Sequence, residues 1–148
     1  MWPISWLPKE KRQPAHHMVY TIALFGEAER GEFRTAYYCQ NLEQLDEFFG
    51  NPPQNSKGLY YAVQALLFKR NIIFFRVMEE GFSIQDYLVG VSLLEKQELI
   101  RQLDAICIPG VGDPQVLNAM QPICQHYHSI LISNEADFYD YLTSTQKN

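Results

Sequence analysis

The chain has 148 residues, 47% of them hydrophobic and 14% aromatic, a size and composition suited to one compact domain with a single core. A net charge of −5 gives no overall field that would draw it to nucleic acid or to an anionic membrane, and no apolar run is long enough to span a bilayer. Three cysteines, Cys39, Cys107 and Cys124, form an odd set without CxxC spacing, which fits a reducing cytoplasm and small buried thiols better than a disulfide framework.

Residues 1–18 read as an extended basic arm. Pro3, Pro8 and Pro14 oppose a packed helix, and Lys9, Lys11 and Arg12 outweigh Glu10. Trp2 and Trp6 are unusual in a solvated tail, which makes Trp2, Trp6, Lys9, Lys11 and Arg12 the candidate partner-binding residues. Pro3 and Pro8 also interrupt the opening before it could read as a signal peptide.

The body, 19–142, alternates strands and helices. Val19–Phe25 reads as a strand, followed by Gly26 and Gly31 around the acidic turn Glu27-Ala28-Glu29-Arg30; the glycines suggest a positive φ or a close backbone approach. Phe33–Cys39 reads as a second strand. Asn41 then caps a helix over Leu42–Phe49, with Gly50 closing it and Pro52-Pro53 preventing its continuation. A second helix is expected from Gly58 to Lys69. The apolar run Ile72–Val77 reads as a central strand covered on both faces.

Residues 79–90 look less regular, and a helix is expected over Ser92–Leu103. Ala105–Ile108 reads as a short buried strand stopped by Pro109-Gly110. Asp113-Pro114 starts a helix running to about Tyr127, and Ser129–Ser133 is a final strand. Residues 134–142 form an aromatic stretch of open state, and 143–148 a polar tail. The pattern predicts an α/β fold: a single layered domain with a central, mostly parallel or mixed sheet flanked by helices and preceded by the arm.

No enzyme signature emerges. Gly110-Val111-Gly112-Asp113 follows a strand and opens a helix, but it lacks a third glycine, and Asp113 stands where an anion needs bare N–H groups; it reads as a capped strand-to-helix turn. Glu27 and Glu29 likewise oppose a phosphate at Gly26–Gly31. Cys124, His126 and His128 are spaced by two, which on a helix splays them apart rather than onto one metal ion. The remaining carboxylates, Glu79, Glu80, Asp104, Glu135 and Asp137 among them, are scattered over loops and edges. The expectation is therefore no catalytic residue, no cofactor and no metal. The alternative is a small α/β ligand-binding or enzymatic domain with its site near Gly26–Gly31 and Gly110–Asp113.

Taken in order, the landmarks resemble the core of contractile phage tail sheath proteins and the related sheaths of tailocins and injection systems. The matching pieces are the strand leading into Gly26-x-Ala28-Glu29-Arg30-Gly31, the Asn41–Gly50 segment, and Leu59–Leu67 before the strand ending Phe75-Arg76-Val77. They continue through Asp86-Tyr87-Leu88-Val89-Gly90, Leu94-Glu95, Asp104–Gly110 and Asp113-Pro114-Gln115-Val116, covering about residues 20–135. Family members carry an inserted domain where residues 78–85 bridge the gap here, and a further C-terminal domain, so the resemblance implies a minimal sheath-like module. It implies a structural, non-enzymatic oligomer partnered by itself or by other tail, sheath or tube subunits. Such a protein would be cytoplasmic until assembled into a virion tail or injection machine.

Overall fold

The computed structural model describes residues 20–96 and 100–146. The arm residues Trp2, Trp6, Lys9, Lys11 and Arg12 lie outside that range. The described chain is an α/β fold. Its five strands are β1 (Thr21–Gly26), β2 (Ala36–Cys39), β3 (Asn71–Arg76), β4 (Ala105–Cys107) and β5 (Ile130–Ile132). Its helices are α1 (Leu42–Phe49), α2 (Gly58–Leu67), α3 (Ile84–Lys96), α4 (Pro114–Tyr127) and α5 (Glu135–Gln146). The strands form one sheet in the order β2-β3-β1-β4-β5, parallel except for β2, which runs antiparallel to β3 at one edge.

The apolar runs explain the layering. All six residues of β1 are buried, and successive side chains alternate between two cores. Ile22 and Leu24 pack with Ile72, Phe74, Leu45, Phe49, Leu59 and Phe138, under α1, α2 and α5. Ala23 and Phe25 pack with Ile73, Phe75, Tyr87, Leu94, Met120 and Ile123, under α3 and α4. A continuous apolar strand is the sequence form of this two-sided burial.

Local chemistry sets most element ends. Asn41 accepts a hydrogen bond from the Gln44 N–H, and Gly50 follows α1 with φ 72°. Asp113 accepts from the N–H groups of Gln115 and Val116 to start α4.

Two expectations need correction, and one stretch left open is decided. The helix expected over Ser92–Leu103 begins at Ile84, inside the segment read as irregular, and Ile100–Asp104 is not helical. Its inner face is Tyr87, Gly90, Val91 and Leu94, where Gly90 looks like a breaker in sequence but faces the Phe25 ring, leaving no room for a Cβ. The second strand starts at Ala36, because Arg34 adopts a left-handed backbone (φ 56°) and only Phe33 makes a single bridge to Arg76. The open stretch after β5 is α5, started by Asn134, whose side chain accepts from the Asp137 N–H. Buried Phe138, Tyr141 and Leu142 hold it, and Arg70 donates to the Leu142 carbonyl.

Candidate functional site

β3 and β4 lie on opposite sides of β1, so the chain reverses direction of travel across the sheet there. In open α/β sheets, ligands collect beyond the carboxyl ends of the strands at such a point. The loops that meet there are 27–35, 77–83 and 108–113, and they contain both sequence candidates, Gly26–Gly31 and Gly110–Asp113.

Gly26 serves close approach rather than a special dihedral angle. A Cβ on it would lie 2.7 Å from Gly58 Cα, so the end of β1 abuts the first residue of α2. Gly31 is the left-handed turn residue, with φ 110°. Arg76 donates to the Gly31 carbonyl at 2.6 Å and stacks over Phe33, fixing the turn against β3.

The acidic residues of this turn engage backbone donors, Glu27 from a half-buried position and Glu29 from an exposed one. Glu80 Oε1 accepts from the N–H groups of Glu27 and Gly58, both at 3.1 Å, and Glu80 Oε2 accepts from the Lys57 N–H at 2.7 Å. In return, Glu27 Oε2 accepts from the Glu80 N–H at 2.9 Å. The two carboxylates therefore brace each other's loops, and Glu80 fills the donor-rich N-terminus of α2. Burial pushes the Glu80 carboxyl above its ordinary range, with the three N–H bonds opposing that rise. Glu29 accepts from the Asn51 N–H, and Arg30 donates to the Asp46 and Glu47 carbonyls at the end of α1. Gly81 packs against the Gly110 carbonyl, and its N–H donates to the Tyr87 hydroxyl at 2.6 Å. With Asp113 capping α4, the N-termini of α2 and α4 at this edge both hold the chain's own carboxylates.

Beside this closed edge lies an open groove of about 460 Å³, lined by Phe33, Arg34, Met78, Ser83, Ile84 and Asp86 among others. Asp86 is buried: its Oδ2 accepts from the Met78 N–H and its Oδ1 from Arg34 Nε, both at 2.9 Å. Met78 and Phe82, on the same loop, are 64% and 75% exposed.

The other sequence candidates stay apart. Cys124 and His126 sit on α4, and His128 is its left-handed cap; among the described residues, no group of three metal-ligating side chains gathers. Cys39 and Cys107 are buried in strands, and burial pushes both thiols up, Cys39 to about 12, so neither is a ready thiolate. Among the described residues, no helix is long and apolar enough to cross a membrane. Sequence reasoning did not single out Arg34 or the Glu27–Glu80 brace. The pairs are 52 and 53 positions apart, and no periodicity marks them.

No family model, no curated protein and no solved structure matches the chain.

Proposed function

We propose that this chain is a non-enzymatic building block: a sheath-like component of a contractile phage tail, tailocin or injection machine. It assembles through subunit contacts and the basic arm of residues 1–18, with copies of itself or other tail, sheath or tube subunits as partners. Its setting is the cytoplasm, before and during assembly.

One observation carries the reading. At the edge where an α/β domain would hold a small ligand, Glu80 accepts from the Lys57 and Gly58 N–H groups at the start of α2 and Asp113 from those of Gln115 and Val116 at the start of α4, while large apolar side chains stand exposed on the adjoining loop. Bare N–H groups suit an anion; occupied ones suit a rigid frame, and exposed Met and Phe suit contact with protein. The ordered landmarks from Gly26 to Val116 give the frame its sheath-like assignment.

The test is the mass of the purified protein by analytical ultracentrifugation, with electron microscopy, alone and with tube proteins. Full-length chain is expected to form oligomers that shrink when residues 1–17 are deleted. Oligomers unchanged by that deletion would remove the arm from the proposal, and a strict monomer under all these conditions would overturn it. Nucleotides and divalent metals are expected to leave the melting temperature unchanged; saturable stabilisation by any of them would favour a ligand-binding domain instead.

A further inference from the structure

The groove beside Asp86 has the features of a prepared receptor. Arg34 occupies a left-handed backbone conformation that a non-glycine residue adopts at a cost, and the surrounding contacts hold it there. The buried Asp86 carboxylate engages Nε alone, which orients the guanidinium; its two Nη groups make no hydrogen bond among the described residues. With 53% of the Arg34 side chain exposed, that outer edge is a two-donor fork open to a carboxylate. Phe33, Ile84 and Met78 supply apolar surface around it, and the exposed Phe82 stands on the same loop as Met78. The matching ligand is an apolar or aromatic group with a carboxylate next to it.

The chain displays such a group. On the outer side of α5, Tyr139 is 61% exposed, with exposed Glu135 one turn before it on the same face and exposed Asp140 next in sequence. This patch cannot reach the groove of its own molecule. α5 packs on the face of the sheet opposite α3, and its later turns lie by Arg70 at the amino end of β3. The groove begins at Met78, beyond the other end of that strand.

Building on the assembly reading above, we propose that the Arg34–Asp86 groove receives the Tyr139–Asp140 face of α5 from a second copy of this chain. The Tyr139 ring lies among Phe33, Met78 and Phe82, and a carboxylate of Asp140 or Glu135 meets the free edge of Arg34. The two surfaces differ, so the contact is heterologous. It leaves one groove and one helix face open at the ends of each pair and propagates head to tail. The net charge of −5 on each copy opposes association, so the contact is weak singly and depends on the local match.

The test uses two full-length variants altered only at exposed side chains. One carries Arg34→Gln with Phe82→Ser, the other Tyr139→Ser with Asp140→Lys; circular dichroism and thermal melting confirm that both fold. Sedimentation is followed up to about 1 mM, a range that captures weak contacts. Each variant alone is expected to lose self-association by about tenfold or more. An equimolar mixture is expected to regain association beyond that of either variant alone, by pairing one variant with the other, since one competent groove and one competent helix face remain between them. Should Arg34→Gln/Phe82→Ser prove unfolded, Phe82→Ser alone replaces it in the same mixture. Self-association of both variants at the level of the unaltered chain, or a mixture that stays monomeric while the unaltered chain assembles, would overturn this contact and leave the assembly reading standing. An unaltered chain that is monomeric throughout would overturn both. Rescue by a free peptide carrying the Tyr139–Asp140 sequence, but not by the second copy, would assign the groove to another acidic protein segment and overturn the self-contact.

Discussion

Replacing Gly58 by alanine is expected to destabilise the fold by about 3 kcal/mol, among the largest effects of any single methyl addition here. The added Cβ would lie 2.6 Å from Gly26 Cα and 2.9 Å from the Phe25 carbonyl oxygen. Both obstacles are backbone in a fully buried strand, so relief requires moving α2 away from β1 rather than rotating a side chain. That shift would also pull the Gly58 N–H from Glu80. Urea denaturation measures the loss, with Gly112→Ala as the control. A Cβ there meets nothing within 4 Å, and the change is expected to stay within about 0.5 kcal/mol. Equal stabilities for the two variants would refute the claim that strand and helix are locked by this contact.

Replacing Glu80 by alanine is the second large effect, a loss of about 2–4 kcal/mol. It strips acceptors from the N–H groups of Lys57, Gly58 and Glu27 at once, at the junction of β1, α2 and the loop after β3. Glutamine, which keeps one acceptor oxygen but turns an NH₂ towards one of these donors, is expected to fall between alanine and the native residue.

The pH dependence has a definite sign. Burial raises the Glu80 pKa in the folded state above its ordinary 4.5, so the folded protein holds this proton more tightly than the unfolded chain. The contribution from this group is therefore fully present below pH 4.5 and is lost as pH rises through the raised folded value. Subtracting the stability of Glu80→Gln from that of the native chain, pH by pH, isolates it. The difference is expected to decline across that window and level off above it. A difference that grows with pH would mean that the three N–H bonds, and not burial, dominate.

How much of this was legible follows from the range of the forces involved. Helix α1 was fixed to the residue by its neighbours: the Asn41 side-chain cap at its start, the Leu45 and Phe49 stripe, and Gly50 at its end. The same holds for the start of α4, where Asp113 and Pro114 act within one turn. Strand β3 declared itself as central because only a strand covered on both faces is apolar at every interior position, while β1, read simply as a strand, proved equally buried. The glycine pair around the acidic turn was also readable as a constraint, though not which role each would take.

Helix α3 was misplaced because Gly90 looks like an interruption until the Phe25 ring, 65 positions earlier, is seen lying against it. Local propensity lost to packing that no window of neighbours contains. Glu80 illustrates the same limit: nothing near it in sequence distinguishes it from Glu79, yet one carboxylate braces three loops while the other is exposed.

The order of letters thus determined the alternation of elements, their caps and the two-sided apolar sheet, because those depend on interactions within a turn or on side-chain periodicity. Tertiary structure alone decided that two acidic residues would close the sheet's carboxyl edge and that Arg34 and Asp86 would frame a groove beside it. Those pairings join segments about fifty residues apart, and only the sheet order β2-β3-β1-β4-β5 brings them within hydrogen-bond reach.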